Sequence, residues 1–209
     1  DTERTLLAEA APAARIALVS NLHRVAGRGH AFDERRDLLF VGGFRHPPNS
    51  DAVRWCVQEI LPRIRAVLPE VTRHCIGADP PDGLRARDGQ DGIRIHGHVP
   101  DLLPWLDGAR IALAPLRYGA GVKGRIDKGG ARGPPAVAAA CAVEAMHLRE
   151  GEDVLVADDA EAFADAVVRL YRDRVLWEHL AAHGLASVQR HFSPEAARAA
   201  VREVFFAAD

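Results

Sequence analysis

From Asp37 onward the chain repeats one unit, a short run of consecutive apolar residues followed by a polar stretch with apolar residues at helical spacing. LLFVGGF (38–44) precedes a stretch, 51–68, in which Val53, Cys56, Val57, Ile60, Leu61, Ile64, Val67 and Leu68 share one helical face. TRHCIGA (72–78), IRIHGHV (93–99) and RIALAPL (110–116) follow as further strands, and Val154 to Ala157 as a short one ahead of a helix carrying Phe163, Val167, Leu170 and Tyr171. Strands that are apolar at successive positions, rather than at alternate ones, are buried on both faces. The expectation is an α/β protein built on a doubly wound parallel sheet.

Breakers and caps set the expected boundaries. Pro62 should bend or shorten the helix over 51–68, and Pro69 should end it. Asp158 or Asp159 suits the cap of the helix that follows, Gly184 the close of the next, and Ser193-Pro194-Glu195 the start of a last helix to about Phe206. Before Asp37, Thr2 to Ala11 read as a helix, RIALVSN (15–21) as a strand and 22–36 as a polar linker. The expected division is 1–36 as a helix, strand and linker, 37–192 as the main domain and 193–209 as a terminal helix.

In an open parallel sheet, ligands bind at the carboxyl ends of the strands, where the winding reverses. Those ends carry Gly42-Gly43-Phe44, Gly77, Gly97-His98-Val99, Leu116 to Gly121 and Glu144. The stretch 110–148 reads as an apolar strand, a glycine-rich turn with Lys123 and Arg125, a short helix and a second apolar strand ending at Glu144. Glycines admit an anion close to the backbone, a helix start supplies N–H groups, and lysine a mobile charge, so the stretch suits phosphate. It reads equally as a glycine-containing connection with two solvated cations.

Composition narrows the partners. The 27 basic and 29 acidic residues leave a net charge of −2, so no global field favours nucleic acid or an anionic membrane. Cys56, Cys75 and Cys141 form no C-x-x-C pair and are odd in number, which disfavours a disulfide framework and fits a reducing cytoplasm. No apolar run is long enough to span a bilayer. The start, DTERTLLAEAAPAAR, has neither the segments of a signal peptide nor an initiator methionine, and is expected to come from within a longer protein.

Other chemistries lack their motifs. GVKGR is not a Walker loop, Gly42-Gly43 does not continue into G-x-G-x-x-G, and no G-x-S-x-G elbow occurs. His96 and His98 alternate on a strand and would share a face, but no third ligand is placed beside them, so no metal is expected. His179 and His183 share a helix face without the following glutamate of a zinc protease.

LLFVGGFRHPPNSDAVRW, IHGHVPDLLPWL, ALAPLRYGAGVKGR, VEAMHLREGEDVLVADDAEAFADAV and RHFSPEAA, in this order and spacing, resemble the C-terminal half of a bacterial nucleotide-sugar glycosyltransferase of the GT-B fold, family-four type. Residues 1–21 resemble the last helix of the N-terminal domain and the crossing between domains. The resemblance implies a Rossmann-like domain that holds a nucleotide diphosphate sugar as donor substrate, with no cofactor or metal, while an N-terminal domain holds the acceptor. It implies that Gly42 and Gly43 lie near the phosphates, that His98 and Val99 contact the base, and that Lys123 and Arg125 neutralise the departing diphosphate. Gly121 belongs to the same glycine turn, Tyr118 is placed to stack or pack, and Glu144 is the acid nearest the expected ribose. A glycan or related acceptor, polysaccharide biosynthesis and a cytoplasmic enzyme follow from the family, which leaves room for peripheral membrane association through a longer protein.

The chain also departs from that family. Members often carry two glutamates eight positions apart, and the corresponding places are Ala120 and Lys128. Gly129 and Gly130 each disfavour the expected helix by roughly 1 kcal/mol relative to alanine. Two rival readings therefore accompany the glycosyltransferase: a non-catalytic, truncated nucleotide-binding or interaction module, and a sugar-nucleotide epimerase of related fold.

Overall fold

The fold is described from a computed structural model, in which the described residues are 2–12, 14–16, 22, 27, 29–119, 133–144 and 146–206. Six parallel strands form one sheet in the order β3-β2-β1-β4-β5-β6. They are β1 (Arg36–Val41), β2 (Arg73–Ile76), β3 (Ile93–Gly97), β4 (Ala109–Ala114), β5 (Ala136–Ala138) and β6 (Leu155–Val156). β1 and β4 are neighbours with Leu38 opposite Ile111, so the winding reverses between them. That is the switch point at which an open α/β sheet offers a crevice.

The main core lies on one face, where Leu38 and Phe40 of β1 and Ile111 and Leu113 of β4 meet helical side chains. Those come from α2 (Pro47–Trp55) and α3 (Leu61–Val67), and from Phe163, Val167 and Leu170 of α7 (Ala160–Arg172), α1 being Thr2–Ala10. Each such side chain, removed from water, contributes about 1.5–3 kcal/mol. The opposite face holds a smaller cluster of Leu39, Ile76, Leu106 and Ala109, with Trp105 and Leu102 packed against it. Leu106 and Trp105 belong to α5 (Leu103–Gly108), and α4 is the single turn Asp82–Arg85 within the turn-rich stretch after β2.

Several boundaries differ from expectation. Pro62 neither ends nor shortens its helix: α2 runs into α3 through a π turn (Cys56–Ile60), where the Leu61 N–H donates to Cys56 O. The wider turn absorbs a residue that has no N–H to give. The second apolar strand does not reach Glu144, because β5 ends at Ala138 and α6 (Ala140–Val143) follows. There Asp158 accepts the Ala140 N–H at 2.8 Å, and this cap converts the small apolar run into a helical turn. α8 (Arg174–His191) continues through Gly184. A Cβ there would be in ordinary contact with Asp153 O at 3.5 Å, and no left-handed residue closes the helix at that point.

Two expected caps are present. Asp159 accepts from Ala162 N at 2.8 Å, and Ser193 Oγ from Ala196 N at 3.1 Å ahead of α9 (Pro194–Phe206). The strand expected at RIALVSN lies mostly outside the described residues, as does the helix expected after the glycine-rich turn.

Candidate donor site

The two edges of the sheet differ in chemistry. At the amino edge, buried arginines tie elements together: Arg35 donates to Leu106 O at 2.6 Å and Ala109 O at 3.0 Å, and Arg110 to Phe32 O at 3.0 Å and Tyr171 O at 3.2 Å. The carboxyl edge is built from glycine turns instead.

Gly42-Gly43 closes β1. Gly42 N–H donates to Ile76 O at 2.8 Å and Phe44 N–H to Ala78 O at 2.9 Å, which lays this turn along the end of β2. Gly77 permits the approach, since a Cβ there would overlap the Gly42 carbonyl. Gly42 is buried and Gly43 exposed, and a Cβ on Gly43 would meet nothing within 4 Å. Open space therefore stands over the turn. Helix α2 follows with Pro47 at its first position, so two of its leading residues, Pro47 and Pro48, have no N–H to offer. An anion here must draw on the turn's own backbone and on side chains rather than on a row of helix N–H groups.

Across the switch point, β4 leads into Pro115-Leu116-Arg117-Tyr118-Gly119. Arg117 reaches back to Asp51 of α2 through two hydrogen bonds, Nε at 2.9 Å and Nη2 at 2.5 Å, and these raise its affinity for a proton above the ordinary arginine value. Tyr118 projects with 49% of its surface exposed, and Gly119 has φ of +125°. Leu116 O accepts the Cys141 thiol at 2.6 Å, which fastens the same loop to α6.

Two strands away, β3 ends at Gly97 in the left-handed region (φ +65°), so His98 lies past the strand rather than on it. His98 is exposed, and Val99 is half-buried against the small cluster on which Trp105 also packs. His96 instead hydrogen-bonds His74, ring nitrogen to ring nitrogen at 2.9 Å, and lies 4.2 Å from Trp105 between ring centres. His98 and His96 share with Asp79, Arg85 and Asp88 a cleft of about 460 Å³ at the carboxyl ends of β2 and β3. Among the described residues no group of three or more histidine, cysteine, aspartate or glutamate side chains could hold a metal ion.

Thus Gly42, Gly43 and Tyr118 flank the switch point, and His98 and Val99 lie at the same edge two strands away. Glu144 is exposed at the end of α6, beyond β5. Gly121, Lys123 and Arg125 lie outside the described residues. Sequence reasoning overlooked Arg45, which pairs with Asp79 at 2.7 Å beside the Gly42-Gly43 turn, and the Asp51–Arg117 pair. Each joins segments that follow different strands, and only the strand order brings them together.

The family model for group 1 glycosyl transferases matches residues 35–173. The chain belongs to this family. No curated protein matches it. Among solved structures, the group 1 fold recurs in a Staphylococcus aureus TarM mutant solved with UDP, fondaparinux and α-GlcNAc-glycerol, at a TM-score of 0.76 and 11% identity over 99% of this chain and 43% of that one. Sucrose-phosphate synthase from Thermosynechococcus elongatus superposes with a TM-score of 0.70 and 19% identity over 99% of this chain and 57% of the synthase. The C-terminal domain of a group 1 glycosyl transferase, LpcC of Francisella tularensis, matches with a TM-score of 0.60 and 12% identity, over 83% of this chain and 96% of that domain. The group 1 chain thus has the Rossmann-like fold of a GT-B C-terminal domain, and it spans less than two thirds of the TarM and synthase chains. No helix among the described residues is long and apolar enough to cross a membrane.

Proposed function

We propose that this chain is the donor-binding domain of a glycosyltransferase that moves a sugar from a nucleotide diphosphate sugar to a glycan or related acceptor. The observation that carries the proposal is the coincidence of the Gly42-Gly43 turn, open above Gly43, and the Arg117-Tyr118-Gly119 loop on the two sides of the switch point, in a group 1 glycosyl transferase. In this reading the diphosphate lies over Gly43, the base at Gly97-His98-Val99 and the ribose toward Glu144, with Tyr118 stacking or packing beside the donor. Lys123, with Arg125, supplies the positive charge that stabilises the diphosphate as the bond to the sugar breaks.

A GT-B enzyme closes two domains around the donor to exclude water and admit the acceptor. The acceptor domain would lie outside these 209 residues, so the chain alone is expected to bind a nucleotide diphosphate weakly and to transfer no sugar. The Ala120 and Lys128 substitutions at the places of family glutamates favour the rival reading, a binding module without turnover. Calorimetry with UDP, GDP and their sugars, comparing wild type with Lys123→Ala, tests the donor reading. Saturable binding that the substitution weakens supports it, and a folded wild type that binds no nucleotide refutes it.

A further inference from the structure

Three consecutive side chains near the start of α2, Asn49 to Asp51, each hold a different part of the carboxyl edge. Asn49 Nδ2 donates to Gly43 O at 2.5 Å, Ser50 Oγ donates to Phe44 O at 3.1 Å, and Asp51 accepts both nitrogens of the Arg117 fork. Asn49 and Ser50 therefore fix the wall that follows β1, and Asp51 the wall that follows β4. We infer that Asn49-Ser50-Asp51 is a positioning bracket that sets the separation of the two walls of the donor crevice, and so the affinity for a nucleotide diphosphate. The inference rests on the donor reading above.

The bracket has the marks of a rigid support rather than of incidental surface pairs. Asn49 is 2% exposed, although asparagine is usually found in water, and its Oδ1 has no partner among the described residues. A buried amide kept half-satisfied costs stability, which its grip on the Gly43 carbonyl must justify. The Asp51 side chain is 15% exposed against 48% for Arg117, so the anchored partner is the one on the helix and the guided one is on the loop. The Arg117 guanidinium also lies 5.7 Å from the ring centre of Trp55, one turn further along α2, which restricts its swing. A two-pronged arginine–carboxylate pair fixes direction as well as distance. Pro47 and Pro48 hold the start of α2 in helical geometry at little entropic cost, so the bracket is mounted on a stiff base.

Beyond the bracket, Cys141 holds Leu116 O from the other side. Arg117 is two residues before Gly119, where the described part of the loop stops ahead of Lys123. A change at Asp51 thus acts on the wall that follows β4 through Arg117, without Asp51 touching the ligand.

The test is a double-mutant cycle on the 209-residue chain, with Asp51→Asn, Arg117→Gln and the double variant, and with Asn49→Ala measured separately. UDP and GDP affinity is read by calorimetry, and the melting temperature of each variant is recorded beside it. The expected result is an affinity loss of about fivefold or more in each single variant, with the double variant no worse than either, because the two residues act as one unit. Asp51→Glu should recover part of the loss by restoring charge to the fork. Variants that bind as tightly as wild type overturn the bracket while leaving the donor reading intact, and so do variants that lose thermal stability only. A folded wild type that binds neither nucleotide overturns the donor reading and the bracket with it.

Discussion

The indole Nε1–H of Trp177 donates to the backbone carbonyl of Arg110 at 2.6 Å, deep in the amino edge of the sheet. Trp177 also packs edge-on against Phe32, with 5.7 Å between ring centres, and lies under the Arg35 guanidinium. Arg110 in turn stacks on Phe32 at 4.1 Å and Tyr171 at 4.6 Å. α8, the turn before β1 and the start of β4 are joined by this one cluster. Trp177→Phe retains most of the packing but leaves the Arg110 carbonyl buried without that donor. Urea unfolding should show a loss of about 1–3 kcal/mol, with nucleotide affinity unchanged because the cluster lies at the edge opposite the candidate site.

Arg73 is fully buried in the main core, and its Nε and Nη2 have no partner among the described residues. Its Nη1 makes one long bond, 3.5 Å, to Val53 O. A buried cation so poorly compensated is often replaced without loss by an apolar side chain of similar volume. Arg73→Met should therefore unfold at an equal or higher urea concentration than wild type. A loss of several kcal/mol would contradict the view that the guanidinium is a net burden on the fold.

Acid should weaken the fold through His96. Burial, and then the neighbouring His74, hold His96 below the ordinary histidine range, against the opposing pull of Asp88, with Arg94 adding to the lowering. His74 in turn faces Asp37 at 3.3 Å. Because the folded value is depressed, the unfolded chain takes up a proton first as pH falls. The stabilisation is whole above the ordinary histidine value and is lost as pH drops through it toward the folded value. His191, lowered by burial and His147, acts in the same direction. Unfolding free energy measured from pH 8 to pH 5 should fall, and His96→Gln should make the decline shallower.

The three cysteines should differ sharply in reactivity. Burial pushes the Cys75 thiol up to about 11 and the Cys56 thiol upward, and both are enclosed in the core. Cys141 is partly exposed at the carboxyl edge. The thiolate is the reacting form, so a thiol reagent at neutral pH should label one cysteine rapidly in the native chain and all three after unfolding. Mass spectrometry should place the rapid label on Cys141, and rapid labelling of Cys56 or Cys75 would contradict the packing.

Much of the sheet could be read directly from the chain because continuous apolar runs such as 38–44 and 110–116 have few other uses at that length. The parallel sheet and the glycine turns at its carboxyl edge followed from local pattern. What local pattern could not supply was anything made by strand order. The Asp51–Arg117 and Arg45–Asp79 pairs join residues distant in sequence, and the burial of Arg35, Arg73 and Arg110 runs against their composition. Glu144 lies off the expected strand because alanine and valine runs suit either state, and the deciding contact, Asp158 accepting from Ala140 N–H, comes from the residues that follow β6.

The central claim is that a nucleotide diphosphate binds at the carboxyl edge, over the switch point between β1 and β4. Backbone amide shifts of the isotopically labelled chain during UDP and GDP titration test it most directly. The expected result is saturable shifts at Gly43, at Gly97 and His98, and at Tyr118 and Gly119, with the amides around Arg35 and Trp177 unmoved. Shifts confined to the amino edge, or none in a folded chain at millimolar nucleotide, would contradict it.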